Sequence, residues 1–215
     1  MTPHLTIDFV SDVSCPWCII GLQSLEQAIA RVADSVTVDL CFQPFELNPD
    51  MPPEGQDIGE HLAQKYGATA EQTERNRAAI RARGAELGFT FSMQKRSRIH
   101  NTFNAHRLLH WAREEGKQAA LKHALFAAYF TDGQNPDDAE VLIKAARAAG
   151  LDPEAAANIL ASDAFADAVR EREQLYRDQG INSVPAVIID GRHLISGGQP
   201  VEVFERALRQ IVAAR

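Results

Sequence analysis

Leu5, Ile7 and Phe9 alternate with more polar neighbours near the start of the chain. A period of two puts those side chains on one face of an extended backbone, so 5–10 reads as a strand. A short loop, Ser11-Asp12-Val13-Ser14, follows. Leu22, Leu25, Ile29 and Val32 then recur at helical spacing, and Pro16 suits a first turn, where the N–H has no helical partner. Val36, Val38, Leu40 and Phe42 alternate again and predict a second strand. The opening is therefore a strand–helix–strand unit.

From about Gly55 to Gly180 the period is helical throughout. Segments 57–66, 70–87, 102–115, 117–130, 137–149, 153–161 and 163–179 each fit a helix. Thr69 and Gln72 have capping-box spacing. Asp152 precedes a first-turn Pro153. Gly67, Gly88, Gly116, Gly150 and Gly180 stand where helix C-terminal glycines belong. Phe89-Thr90-Phe91 is the one strand candidate in this stretch. After Gly180, 186–189 and 193–196 read as strands around an Asp190-Gly191 turn. Pro200 opens a last helix with Val203, Phe204, Leu208, Ile211 and Val212 as its buried face. If both ends share one sheet, the fold class is α/β. Residues 1–54 and 181–215 then form one discontinuous domain, and 55–180 form an all-helical insertion.

The length of 215 residues suffices for that core. A net charge of −7 supplies no broad basic surface, which argues against nucleic acid as a partner. Lys95-Arg96-Ser97-Arg98 is short and reads as a solvated face or a small anion site. No stretch is long and apolar enough for a membrane span, and the N-terminus lacks a basic and an apolar leader region. The expected location is cytoplasmic. Three cysteines make no disulfide framework, and in a reducing compartment a close pair points to redox or metal chemistry.

That pair is Cys15-Pro16-Trp17-Cys18, placed after a strand and opening a helix. Helix N-terminal N–H groups and the helix dipole favour an anion, so Cys15 is the sulfur expected to ionise and attack. Cys18, one turn on, is expected to be less exposed and to resolve the mixed disulfide. A zinc site would need two more ligands. Cys41 alternates with Leu40 and Phe42 as a buried small residue would. His106 and His110 lie far along the chain and read as an exposed or capping pair, so no metal is expected. Ser183-Val184-Pro185-Ala186 sets a proline just before a strand. With the Cys pair at the other end of the chain, a cis Val184–Pro185 bond is favoured, which would leave the Val184 backbone to meet an extended substrate.

Asp8-Phe9-Val10-Ser11-Asp12-Val13-Ser14-Cys15-Pro16-Trp17-Cys18, Pro44-Phe45-Glu46-Leu47-Asn48-Pro49, Asn101-Thr102-Phe103-Asn104-Ala105-His106-Arg107-Leu108, Val184-Pro185 and Ser196-Gly197-Gly198-Gln199-Pro200 together resemble the FrnE-like branch of DsbA-family thiol–disulfide oxidoreductases. The resemblance spans nearly the whole chain. It implies a thioredoxin-like fold with a large helical insertion and an enzyme exchanging disulfides at Cys15 and Cys18. No bound cofactor is implied beyond the Cys15–Cys18 disulfide, with glutathione as a candidate co-substrate. Pro16, Trp17, Val184, Pro185, Asn48, Asn101 and His106 are the candidate substrate-binding residues. The partners implied are protein or small-molecule thiols and disulfides, and a homodimer stays open. Related 2-hydroxychromene-2-carboxylate isomerases and kappa-class glutathione transferases use a serine where this chain has Cys15. The alternative reading is accordingly a glutathione-dependent isomerase or transferase acting on a small aromatic compound. Periplasmic relatives carry histidine between the cysteines. Trp17 offers no such charge, which predicts a less oxidising pair. Trp17, Phe45 and Trp111 are candidates to line an apolar groove by the sulfurs, although Phe45 and Trp111 are more often plain core.

Overall fold

A computed structural model describes residues 2–214. Its central strand, β1 (His4–Ser11), runs parallel to β2 (Thr37–Pro44) and antiparallel to β5 (Ala186–Ile189). Strand β6 (His193–Ser196) completes the order β2-β1-β5-β6. Phe9 stands opposite Phe42 on one side and Val187 on the other. Residues from the two ends of the sequence thus share one sheet.

Helices α1 (Pro16–Val32) and α9 (Val201–Ala213) pack together against this sheet. Leu5, Ile7 and Phe9 join Ile19, Leu22, Leu25, Phe204 and Leu208 in one buried cluster. Between β2 and β5 the chain forms α2 (Ile58–Tyr66), α3 (Ala70–Glu86), α4 (Phe103–Glu114), α5 (Gln118–Phe126), α6 (Ala139–Ala148), α7 (Pro153–Leu160) and α8 (Ala166–Asp178). The capping box at Thr69 and the Asp152 cap are both present. Leu108, Leu121, Leu142 and Ile159 form a second core among α4–α7. Phe126, Tyr129 and Phe130 reach into the core of the sheet and α1.

Three local expectations are corrected. Phe89-Thr90-Phe91 forms no strand. The Phe91 ring seats where Gly84 leaves room for it, since a Cβ there would come within 2.4 Å of the ring. Phe89 and Phe130 pack edge-on against Phe91. Phe91 plugs the core, and the segment forms no sheet edge. The extended pairing in this stretch is instead β3 (Gln56–Asp57) with β4 (Arg98–Ile99), two residues each and too short for a periodic signal. The helix expected over 117–130 stops at Phe126 and widens into a π-helical turn, Ala127–Thr131. That turn buries the consecutive aromatics Tyr129 and Phe130 together. The Arg96 guanidinium lies 4.8 and 4.9 Å from their ring centres, so this part of the basic run is packed against the core.

Candidate active site

The loop from β1 into α1 is organised by Asp12, which is fully buried. Its Oδ1 accepts a hydrogen bond from Ser14 N at 2.9 Å, an Asx-type turn. Its Oδ2 accepts from Leu47 N at 2.7 Å and ties down the segment after β2. Cys15 occupies the N-cap of α1 with extended backbone angles, and no acidic side chain lies in the first turn. Within that turn no acidic side chain competes with a charge on Cys15, and the Asp12 carboxylate stands just ahead of it.

The two sulfurs differ in setting. Cys18 is sealed from solvent, whereas 5% of Cys15 is exposed. Burial, a hydrogen bond to Cys15 and negative charge at Cys15 push the Cys18 thiol well above the ordinary thiol range. Cys15 Sγ lies 3.7 Å from the carbonyl oxygen of Val184, and the Val184–Pro185 bond is cis. Two glycines permit this approach. A Cβ on Gly21 would stand 3.0 Å from Pro185 Cγ, and one on Gly198 only 2.9 Å from the Trp17 carbonyl oxygen. The proline loop and the Gly197-Gly198 segment thus close directly on the first turns of α1.

Cys15, Pro16, Trp17, Cys18, Val184 and Pro185 come together, with the Trp17 ring exposed. Asn48 and Asn101 are placed differently. Asn48 Oδ1 accepts from Lys65 Nζ at 2.7 Å. Asn101 donates to the Pro49 carbonyl at 3.1 Å and accepts from Phe103 N at 2.8 Å, holding the start of α4 against that loop. His106 is not exposed: it is buried with Nε2 3.9 Å from Asp12 Oδ1. Its helix turns that face inward under the Asp12 loop, and the sequence reading of an exposed or capping pair is corrected. Burial is the main cause of its pKa falling well below the usual histidine value. Phe45 and Trp111 belong to separate packed clusters rather than a groove shared with Trp17.

Cys41 is buried, accepts from Gln43 Nε2 at 3.3 Å, and has its thiol pushed up to about 11, chiefly by burial. Among the described residues no three metal-binding side chains cluster. No helix there is long and apolar enough to cross a membrane.

Sequence reasoning missed three residues here. Tyr66, at the end of α2, is 61% exposed and within electrostatic reach of Cys15. Nothing in its helical pattern marks it. Asp12 sits in a loop whose polarity concealed its burial. Lys122 on α5 is fully buried, and its side-chain nitrogen has no hydrogen-bond partner. A signal for it did exist, because Gln118, Leu121, Lys122 and Leu125 share one helical face.

A thiol pair at a helix start, facing a cis-proline loop at one end of the sheet, is a thioredoxin-like arrangement. Residues 6–209 match the DSBA-like thioredoxin domain, and the chain belongs to that family. It has a DsbA-like, thioredoxin-type fold with substantial helical content. A probable DsbA oxidoreductase from Streptomyces coelicolor is 35% identical, with TM-score 0.91 over 99% of this chain and 92% of that one. The uncharacterized protein YwbO of Bacillus subtilis is 28% identical over 97% of this chain and 96% of its own length. A cytosolic disulfide reductase from Pseudomonas aeruginosa, solved with glutathione, shares the fold at 16% identity and TM-score 0.65, over 97% of this chain and 99% of that one.

Proposed function

We propose that the protein exchanges disulfides through Cys15 and Cys18, with Cys15 as nucleophile and Cys18 as the resolving thiol. The observation that carries this reading is the asymmetry of the pair. Cys15, 5% exposed, lies against the Val184 carbonyl at the positive end of a helix, and Cys18 is sealed one turn behind it.

In the reducing direction the Cys15 thiolate attacks one sulfur of a substrate disulfide, and the other sulfur leaves as a thiolate. Cys18 then attacks Cys15 Sγ, forming the Cys15–Cys18 disulfide and releasing the second substrate thiolate. A thiol such as glutathione resets the pair and is itself oxidised. The exposed Trp17 and the Val184 backbone, which precedes the β1–β5 register, suit contact with an extended disulfide-bearing segment. A cytoplasmic setting suits a chain whose three cysteines are a reactive pair and one inert buried thiol. Residues 1–54 with 181–215 act as the redox frame, and 55–180 cover it.

The test is insulin-disulfide reduction driven by glutathione. Wild type is expected to turn over, Cys15→Ser to be inactive, and Cys18→Ser to accumulate a mixed disulfide at Cys15. Equal turnover by wild type and Cys15→Ser would overturn the assignment. Glutathione-dependent conversion of a chromene carboxylate without thiol oxidation would favour the isomerase reading instead.

A further inference from the structure

Buried polar atoms in folded proteins nearly always find a hydrogen-bond partner. Among the described residues six buried side-chain polar atoms lack one, and two of these, Lys122 Nζ and His106 Nε2, belong to residues that line a single cavity. The cavity lies between β2, α4, α5 and α8, and its lining includes neither Cys15 nor Cys18.

Its walls are held firmly. On α5, Gln118 Oε1 accepts from Phe42 N and its Nε2 donates to Phe42 O, both at 2.9 Å. The same Nε2 donates to Leu109 O at 3.2 Å. These bonds pin α5 to β2 and to α4. One turn on, Lys122 stands on the same face, with Nζ 4.9 Å from the Phe126 ring centre and 6.0 Å from that of Phe42. The rings attract an ammonium but offer its three N–H groups no lone pair.

The charge around the cavity is one-sided. Lys122 is buried inside it, and the exposed Arg113 and Arg172 line its outer part with His110. Among the described residues neither arginine is in a salt bridge. No carboxylate lines the cavity. Acidic groups act on it from beyond the lining, Asp12 on Lys122 and Glu114 on His110. Burial lowers the Lys122 pKa to about 8, opposed by attraction to Cys18, Asp12 and Cys15, so at pH 7 most of the amine is charged. His106 stays neutral, because burial and the Lys122 and Arg170 charges oppose its protonation. A buried ammonium without an acceptor is costly, and a water molecule cannot neutralise it.

We infer that this cavity binds a small monovalent anion of chloride size, which accepts hydrogen bonds from Lys122 Nζ and, in the tautomer protonated at that atom, from His106 Nε2. The volume is about 20 Å³, room for about one water and so for a bare halide, but too little for phosphate or sulfate. Arg113 and Arg172 draw the ion inward and remain solvated themselves. Once seated, the ion bridges α4 and α5 and neutralises the ammonium. The site stands apart from the disulfide-exchange reading and does not depend on it.

Chloride titrated against gluconate at constant ionic strength is the test, because gluconate is too large to enter. Wild type is expected to broaden the chlorine NMR line saturably, and its unfolding midpoint should climb with the logarithm of chloride once chloride exceeds Kd. In Lys122→Met both responses should be lost. Wild-type affinity should fall as pH rises through about 8, where Lys122 loses its charge. A wild type with no saturable response holds water only, and the inference is overturned. A response that Lys122→Met retains overturns it as well. If that variant does not fold, wild type alone decides: affinity lost through about pH 8 supports the site, and affinity unchanged across that range overturns it.

Discussion

Lys122 also makes the protein less stable than it could be, by an amount the structure allows one to work out. The side chain is fully buried, and its nitrogen is without a hydrogen bond. Its pKa falls from 10.5 to about 8, with burial the main cause. At 1.36 kcal/mol per pH unit, the folded state at pH 7 loses about 3 kcal/mol relative to one without this ionisation. The sign follows from proton binding. Between pH 8 and 10.5 the unfolded chain holds more protons, so this cost is complete below 8 and disappears as pH rises towards 10.5. Methionine replaces the aliphatic stem with a flexible apolar chain of similar length and carries no charge. Lys122→Met is therefore expected to gain about 3 kcal/mol at pH 7. With a urea slope of about 3 kcal/mol/M, its midpoint should rise by about 1 M. At pH 10 most of that gap should close. Urea unfolding of both proteins at the two pH values is the assay. A variant less stable than wild type at pH 7, or a gap of equal size at both pH values, would refute the reasoning.

Other substitutions probe the surroundings of the pair. Gly198→Ala places a Cβ 2.9 Å from the Trp17 carbonyl oxygen, a backbone atom that cannot swing aside. It should cost about 1–3 kcal/mol and slow insulin reduction, read by thermal unfolding and turnover together. Glu46 is buried, and burial followed by the nearby Glu173 charge raises its pKa to about 7, against the opposing Arg170. A raised carboxylate pKa gives stability that is complete below about 4.5 and lost as pH rises through 7. Glu46→Gln should flatten that slope in urea midpoints taken between pH 5 and 8. Arg107 is buried and donates to the carbonyls of Ala164, Ile159 and Ser162, joining α4 to the turn after α7. Arg107→Met removes the donor to the Ala164 and Ser162 carbonyls and should cost about 3 kcal/mol by thermal unfolding. The rate of Cys15 alkylation in the folded protein should not change.

The strand–helix–strand opening, the closing hairpin and the helix ends with their caps follow from the periodicity of apolar positions and from local turn chemistry. Cys15 and Cys18 were legible because the geometry joining them is one helical turn and the loop before it. Phe89-Thr90-Phe91 was misread because its aromatics are spaced as a strand's would be. Only the Gly84 gap and the Phe130 ring say where they go. The π-helical turn likewise serves Tyr129 and Phe130, which must both find the core.

The sequence by itself determined the main helices, the four strands of the larger sheet and which sulfur opens a helix, because hydrophobic period and helix polarity act between near neighbours. Tertiary structure alone decided that Asp12 clamps Leu47 and that Lys122 lies fully buried. Those outcomes depend on burial and on contacts between distant segments. A charged side chain's cost or use follows from what surrounds it in space.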